Sequence, residues 1–252
     1  MRVLLLSDIQ GNLPAFETIL QNTSGEYNEI WYLGDIVGSG PYPNECVELL
    51  ESLNPISVVG NEDWLAIDKY DLDDFTEEAR RLRLWVREQL SDKSRSYLNS
   101  LPEKLVRKND FTLVHGSARH PVWEYVLYPK TAQASFECLE TAYCFMGHSL
   151  ATIIFEEGSN QDEMCQCLVL GTENSSVQFG EPIKLGERRL MINPGGGGRE
   201  KWGYTGISHY GILDTEAKTF EFRIAHASPK AYDEYQSAFR QLKHKLNISS
   251  RI

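Results

Sequence analysis

Apolar and polar positions alternate along the chain in blocks that predict strands and helices in a regular order. A nearly continuous apolar run over Arg2–Leu6 predicts a strand that is buried on both faces. Apolar residues at helical spacing follow in Leu13–Asn22, and a short strand is predicted over Ile30–Leu33. A helix over Asn44–Ser52 and a strand over Ile56–Val59 complete a βαβαβ pattern. This order predicts parallel strands whose carboxyl ends lie at the same edge of a sheet.

The pattern changes after the third strand. The charged segment Asp71–Ser100 carries apolar residues at helical intervals, which predicts helices beside or over the sheet edge. Strands resume at Phe111–Val114 and Tyr143–Met146, with a helix predicted over Thr131–Thr141 between them. No shift in composition marks a domain boundary. We therefore expect a single domain spanning the chain, with a helical insertion over about residues 64–105.

From residue 151 onward the pattern favours strands over helices. Polar loops are predicted at residues 159–163 and 171–176, and a glycine-rich loop at Asn193–Gly198. Strands alternate with these loops, which predicts a second, more antiparallel sheet. An amphipathic helix over about residues 229–246 ends the pattern. The strands are predicted over Ala151–Phe155, Met164–Leu170, Arg189–Ile192, Tyr210–Asp214 and Thr219–Ala225.

Length and charge narrow the classes of function. A chain of 252 residues with 41% hydrophobic and 24% charged residues is typical of a soluble globular protein with a sizeable core. The net charge of -11 argues against duplex nucleic acid or an anionic membrane as a partner. The five cysteines form no CxxC pair, and no signal sequence or membrane-spanning run is present. We therefore expect reduced thiols in a cytoplasmic protein, whose oligomeric state the sequence leaves open.

Polar residues that can bind a metal follow five of the predicted strands: Asp8, Asp35, Asn61, His115 and His148. Each has a structural alternative when taken singly, namely a helix cap, a turn or a hydrogen-bonded histidine at a sheet edge. For Asp8 the alternative is that it only caps the following helix. The carboxyl ends of parallel strands converge, so we expect the five side chains to meet. A mixed set of oxygen and imidazole donors suits Mn, Fe, Zn or Ni better than Ca.

The motifs that contain these residues resemble the ordered motifs of the calcineurin-like metallophosphoesterases, and in particular those of their small prokaryotic branch. The resemblance implies an α/β fold, a four-layer αββα sandwich with a dinuclear metal site at its central edge. It also implies metal-dependent hydrolysis of a phosphate mono- or diester by a hydroxide ion bound to the metal. The motifs are Asp8-Ile9-Gln10, Gly34-Asp35, Gly60-Asn61-Glu62-Asp63, His115-Gly116 and Gly147-His148.

Three positions depart from the motifs of that family, because Gln10, Glu62 and Leu150 stand where it usually has histidine. The second metal position keeps Asp8 and the bridging carboxylate of Asp35, and the amide oxygen of Gln10 is its third candidate ligand. We therefore expect one or two divalent ions and a reduced activity. The resemblance implies that the complete metal position is built from Asp35, Asn61, His115 and His148.

Two residues are candidates for direct roles in catalysis. Glu62 could protonate a leaving group, because the neighbouring carboxylates of Asp63 and Asp35 would raise its pKa. Arg119 follows the His115-Gly116 motif and could pair with a phosphate oxygen, although a surface ion pair is an equally good interpretation. The expected partner is a phosphorylated small molecule or a nucleotide. Two alternatives remain: a pseudoenzyme that binds one metal or a phosphorylated ligand, and a structural or interaction protein that docks through the acidic helices of Asp71–Glu88.

Overall fold

The computed structural model describes residues 1–159, 165–170, 177–198 and 205–249. The loop predicted over 159–163, apart from residue 159, and the loop predicted over 171–176 therefore lie outside the described residues. The described residues form seven helices and twelve strands. The helices are α1 (Leu13–Asn22), α2 (Pro43–Ser52), α3 (Asn61–Ala66), α4 (Glu77–Gln89), α5 (Asp92–Ser100), α6 (Pro129–Phe136) and α7 (Pro229–Lys245). The strands are β1 (Arg2–Leu6), β2 (Glu29–Tyr32), β3 (Ile56–Ser57), β4 (Lys104–Arg107), β5 (Phe111–Val114), β6 (Tyr143–Phe145), β7 (Thr152–Glu156), β8 (Gln166–Val169), β9 (Pro182–Lys184), β10 (Leu190–Pro194), β11 (Ile207–Asp214) and β12 (Thr219–His226).

The first sheet has six strands in the order β3-β2-β1-β11-β12-β9. Strand β1 lies inside it, parallel to β2 and antiparallel to β11. Its side chains alternate between two cores: Val3 and Leu5 face the second sheet, whereas Leu4 and Leu6 pack against helices. The prediction that this apolar run forms a strand buried on both faces is therefore confirmed.

The second sheet also has six strands, in the order β4-β5-β6-β10-β7-β8. An aromatic cluster that includes Trp31, Phe111 and Phe145 fills the space between the two sheets. Helix α6 covers the outer face of the second sheet with Ala132 and Phe136, while α1, α2, α4, α5 and α7 contribute to the layer over the first sheet. The four-layer αββα sandwich is confirmed.

The strands after residue 151 do not form a sheet of their own, so that prediction is wrong. Strands β7, β8 and β10 join β4–β6 in the second sheet, whereas β9, β11 and β12 extend the first. The physical reason is that β1, buried on both faces, needs a hydrogen-bonding partner on each side. Strand β11 supplies the second partner, with a register that runs from Arg2 opposite Asp214 to Leu5 opposite Gly211. The sequence pattern misses β4 and β9, which are short and only partly buried edge strands.

Helices α3, α4 and α5 occupy the connection between β3 and β4. Leu82, Trp85 and Val86 of α4 pack into the layer that covers the first sheet. The division of the chain into one domain with an insertion stays a prediction. None of the described helices combines the length and the apolar character that crossing a lipid bilayer requires.

Candidate metal centre

The polar residues at five strand ends meet in one place, as their positions predict. Asp8, Asp35 and Asn61 come from the first sheet, where they follow β1, β2 and β3. His115 and His148 come from the second sheet, where they follow β5 and β6. All five residues are buried, and none is more than 7% exposed. The five side chains thus converge from two packed sheets. The expectation that they lie at the edge of a single sheet is wrong, because β5 and β6 belong to the second sheet and their carboxyl ends lie next to those of β1, β2 and β3 in the first.

Four of these residues form a compact set of metal donors. Asp35, His115 and His148 each offer a ligand atom, and these atoms lie within 4.8 Å of one another. His115 Nε2 lies 3.0 Å from Asn61 Oδ1 and 3.3 Å from Asp35 Oδ2. One carboxylate, one amide oxygen and two imidazoles are a donor set that fits a divalent transition-metal ion.

Backbone carbonyls orient both imidazole rings. His115 Nδ1 lies 2.7 Å from the carbonyl oxygen of Leu33, and His148 Nε2 lies 3.2 Å from that of Trp123. When one ring nitrogen donates to a carbonyl, the other nitrogen of the neutral ring is left as a metal ligand. The ring of Tyr125 stacks on His148 with a centroid distance of 3.7 Å. Both rings are therefore held in place before any ligand arrives.

The buried charges shift one another's pKa. Burial lowers the pKa of His115, but the carboxylates of Asp35 and Asp8 outweigh it and raise this pKa to about 10. Burial raises the pKa of Asp8 to about 7, against the opposing charge of His115. Burial raises the pKa of Asp35, but the charges of His115 and His148 and the hydrogen bonds from His115 and Glu62 N together lower it. Burial and the charge of His115 lower the pKa of His148 to about 3. The acids therefore stabilise a positive charge between them, which is the requirement of a cation site.

Asp8 is held by its neighbours but keeps one open oxygen. Asn12 caps α1 by accepting a hydrogen bond from Ala15 N at 3.2 Å, so the alternative that Asp8 caps this helix is wrong. Asp8 Oδ2 accepts hydrogen bonds from Ser7 Oγ at 2.5 Å and His148 N at 3.1 Å. Its buried Oδ1 has no hydrogen-bond partner among the described residues. Because buried carboxylate oxygens normally have partners, this atom is suited to a cation or a water molecule.

The loops that carry the site are conformationally strained. Positive φ angles occur at Asp8 (55°), Gln10 (56°), Asp35 (61°), His148 (64°) and Leu150 (60°). This left-handed conformation costs a residue other than glycine of the order of 1–2 kcal/mol. Strain of this kind persists where the surrounding contacts over-determine the backbone, and it is concentrated at functional sites.

Asp63 supports the site in a way that the sequence does not reveal. Its buried carboxylate accepts hydrogen bonds from the backbone N–H groups of Asp35 (2.8 Å), Val37 (3.2 Å) and Gly60 (2.9 Å). A Cβ atom at position 60 would lie 2.1 Å from Asp35 Oδ1, so only glycine allows this approach. Asp63 is therefore a positioning residue for Asp35, and the acidic end of the Gly60–Asp63 motif is the one signal that could have indicated it.

The glycine-rich loop after β10 supports the opposite side of the site. Gly197 N donates to Ser7 O at 2.8 Å, and Gly198 N donates to Asp8 O at 3.0 Å. A Cβ atom at position 198 would lie 1.8 Å from Ile9 O. These N–H groups hold the loop that follows β1, and the close approach of the two backbones requires glycine at position 198.

A cavity of about 410 Å³ opens beside the metal donors. Residues of helix α4 and of the segment before it line this cavity, and so does Tyr125. The lining residues are Asp8, Gln10, Asp35, Asn61, Glu62, Asp74, Phe75, Thr76, Ala79, Arg83, Tyr125, His148 and Leu150.

Glu62 lines the cavity but is held by an arginine. Its Oε1 lies 2.5 Å from Arg83 Nη2, and the two side chains are 15% and 16% exposed. The Arg83 guanidinium also lies 4.1 Å from the centre of the Phe75 ring. An ion pair of this kind stabilises the carboxylate form of Glu62, which opposes a role as proton donor. The general-acid role of Glu62 stays a prediction.

The amide of Gln10 is turned away from the orientation that a metal ligand needs. Its Nε2 donates to Asp35 Oδ2 at 2.9 Å, and its Oε1 accepts from Ser39 N at 3.4 Å. The amide group therefore donates to the predicted bridging carboxylate rather than presenting its oxygen beside it. A metal-ligating role for Gln10 stays a prediction, and Leu150 adds only an apolar side chain to the same cavity.

Arg119 is engaged in an ion pair. Its guanidinium binds both carboxylate oxygens of Glu124, its side chain is 40% exposed, and it is absent from the described residues that line the cavity. This arrangement matches the surface ion pair that was its alternative interpretation. Its phosphate-binding role stays a prediction.

Comparison with known proteins places this geometry in context. The sequence model of the family described as calcineurin-like phosphoesterase matches residues 1–148. The crystal structure of a metallophosphoesterase from Sphaerobacter thermophilus is 33% identical, with a TM-score of 0.82 over 99% of this chain and 95% of that one. A hypothetical protein from Pyrococcus horikoshii has the same fold at 20% identity, with a TM-score of 0.70 over 97% and 95% of the two chains.

A curated relative gives a similar result. An uncharacterized protein of Methanocaldococcus jannaschii is 30% identical over 237 residues, which are 92% of this chain and 90% of that protein. The family match ends at His148, so it contains every donor of the metal cluster.

Proposed function

Because the chain belongs to the calcineurin-like phosphoesterase family, whose members hydrolyse phosphoesters with divalent metal ions, we propose that it is an active hydrolase of phosphate mono- or diesters. The observation that carries the proposal is the buried cluster of Asp35, His115 and His148, with Asn61 beside it. Two packed sheets hold these donors, and their charges favour a cation.

Each residue of the centre has a definable task. Asp35, Asn61, His115 and His148 would hold one divalent cation. When bound, that cation supplies a Lewis acid that neutralises charge on the phosphoryl group. The carbonyl groups of Leu33 and Trp123 orient the imidazoles, as their hydrogen bonds to the rings indicate. Burial of the donors in the sandwich strengthens their electrostatic interactions.

We propose Mn, Fe, Zn or Ni as the metal, with one ion bound tightly per chain. Carboxylate, amide and imidazole donors suit these ions, and the second position lacks imidazoles. Replacement of Gln10 and Leu150 by histidine should raise the metal count of purified protein from one to two ions per chain and increase turnover. An unchanged count and turnover would show that these positions do not limit metal binding.

For the substrate we propose a phosphorylated small molecule or a nucleotide. Tyr125 lines the cavity beside His148 and is 56% exposed, so its ring offers a stacking surface for an aromatic leaving group. Tyr125→Ala should raise the KM for a nucleotide several-fold more than the KM for glycerol phosphate. The proposal places the enzyme in the cytoplasm, which is consistent with five cysteines that form no disulfide.

A second candidate function is a pseudoenzyme that binds a metal or a phosphorylated ligand without efficient turnover. The ion pair between Glu62 and Arg83 favours it, because the residue at the usual histidine position of that motif is held as a carboxylate. This candidate predicts metal binding without hydrolysis.

One experiment separates the two functions. Protein treated with a chelator and reloaded with Mn²⁺, Fe²⁺, Zn²⁺ or Ni²⁺ should hydrolyse p-nitrophenyl phosphate or its bis-ester. His115→Ala should lower kcat/KM by at least about 100-fold, because the loss of a metal ligand removes Lewis-acid stabilisation of the transition state. His120→Ala is the matched control, since His120 is exposed and lies outside the described lining of the cavity. Bound metal without hydrolysis of either ester or of nucleotides would support the pseudoenzyme instead.

A further inference from the structure

We propose that Arg83 of α4 binds a phosphate oxygen of the substrate and supplies the positive charge in the half of the site that lacks imidazoles. This inference rests on the proposed function and deepens it. It replaces a second metal ion by a guanidinium that the helical segment between β3 and β4 brings into the cavity.

Arg83 lies in the cavity beside the candidate metal donors. It lines the same cavity as Asp8, Asp35 and His148, and it contacts Glu62 directly. Gln10, Glu62 and Leu150, the three residues that stand where histidine is usual, line that cavity as well. The positive charge of Arg83 therefore lies in the same cavity as the three positions that lack a histidine.

The lining of the cavity is strongly acidic. The described lining of the cavity contains four acidic residues, and Arg83 is the only lysine or arginine among the described residues of this lining. A phosphate group would meet strong repulsion there unless cations offset it. One divalent ion offsets part of this repulsion, and Arg83 is the group available to offset more. The sequence candidate, Arg119, is bound to Glu124 instead.

The guanidinium of Arg83 is held in position before any ligand binds. The Arg83 side chain is fixed by Phe75 at 4.1 Å, by the carbonyl oxygen of Ala79 at 3.3 Å and by Glu62 at 2.5 Å. These contacts use only some of the N–H donors of the guanidinium, and its Nε has no hydrogen-bond partner among the described residues. An arginine presents five N–H donors in a fork that matches phosphate oxygens. A guanidinium held in this way can accept an anion with little loss of conformational entropy.

The test measures binding of inorganic phosphate to Mn²⁺-loaded protein by calorimetry, with the metal counted in each sample. Arg83→Met should weaken phosphate binding by about tenfold to hundredfold, the usual effect of losing a charged hydrogen bond. Arg83→Lys should bind with intermediate affinity, because it keeps the charge and loses the fork. Arg80→Met is the matched control: Arg80 is exposed on the same helix, outside the described lining, and its loss should change binding less than twofold.

Glu62→Gln provides an independent measurement with the opposite expected sign. Glu62 competes with phosphate for Arg83, so its neutralisation should tighten phosphate binding several-fold. The proposal is overturned if Arg83→Met binds phosphate like the wild type at an unchanged metal count. If Arg83→Met does not fold, an affinity of Glu62→Gln that fails to rise would overturn it as well.

The outcomes also separate this inference from the proposed function. Phosphate binding that depends on Arg83 in a protein without hydrolytic activity would reject the enzyme and retain the anion site. Hydrolysis that is indifferent to Arg83→Met would reject the anion site and retain the enzyme.

Discussion

At the scale of single residues, the site is a set of mutually dependent charges. His115 Nε2 lies 3.3 Å from Asp35 Oδ2, and the attraction of the Asp35 and Asp8 carboxylates raises the pKa of His115 to about 10 against the effect of burial. His148, in contrast, is kept neutral by burial and by the charge of His115, with a pKa of about 3. A cation that binds here must take the place of the proton on His115, so metal binding and proton binding are linked.

Metal binding at pH 8.5 should release about one proton per ion. His115 is protonated at this pH in protein stripped of metal, because its pKa is raised to about 10, and its Nε2 must lose that proton to bind a metal. His148 is already neutral and releases none. The apparent affinity should therefore rise as pH increases and level off above about pH 10. Calorimetry in buffers of different ionisation enthalpy measures the proton count, and a count of zero would contradict the charge assignment of His115.

Asp63→Ala should destabilise the protein strongly although Asp63 is not a predicted ligand. The substitution leaves three buried N–H groups without their acceptor, at a cost of about 3 kcal/mol or more. The corresponding decrease in Tm is roughly 6–12 °C, measured by calorimetry. Asp71→Ala, at an exposed position, is the control and should change Tm by less than about 2 °C. Equal Tm values for the two variants would refute the positioning role.

The residues of the candidate metal cluster could be predicted to lie together from the sequence, whereas the contacts of their neighbours could not. Asp35, His115 and His148 follow recognisable strands, and convergence of strand ends brings them together. The ion pairs of Glu62 with Arg83 and of Arg119 with Glu124 depend on side-chain directions that no spacing rule determines. Arg83 was missed because a charged residue on an amphipathic helix normally faces solvent.

At the scale of elements, the strands and helices with strong periodicity were predicted closely. Helix α1 has the predicted bounds, and α7 ends one residue before the predicted end. The pairing of β1 with β11 could not be predicted, because a strand buried on both faces accepts any apolar partner and the two are far apart in sequence. Edge strands such as β9 have too few residues to show the alternation of apolar and polar positions that predicts a strand.

The contact between the glycine-rich loop and the turn after β1 gives a prediction at this scale. Gly198→Ala should force the two loops apart, because its Cβ would lie 1.8 Å from Ile9 O. We expect a loss of about 1–3 kcal/mol in the free energy of unfolding. Metal binding should also weaken, because a shift of Asp8 disturbs its hydrogen bond from His148 N. Gly186→Ala is the control, since nothing lies within 4 Å of a Cβ at that position. Denaturant unfolding and metal titration of both variants check this, and matching results would disprove the contact.

At the scale of the whole molecule, the sandwich could be predicted only through the family resemblance. Hydrophobic periodicity predicts which strands are buried, but it does not assign a strand to one sheet or the other. The division of β7–β12 between the two sheets shows this limit, since each sheet contains both early and late strands of the chain. The family match covers residues 1–148, which end before β7, so the strands that complete both sheets lie outside it.

The origin of the ligands in two different sheets has a mechanical consequence. Asp35 and Asn61 follow strands of one sheet, and His115 and His148 follow strands of the other. A cation held by all four residues would therefore link the two sheets of the sandwich. At a metal concentration of 100 times Kd, this linkage should add about 2.7 kcal/mol to the free energy of unfolding. Chelation should then lower Tm by roughly 5–11 °C and speed amide exchange on β2 and β5 together. Faster exchange on one layer alone would mean that the ion holds only that layer.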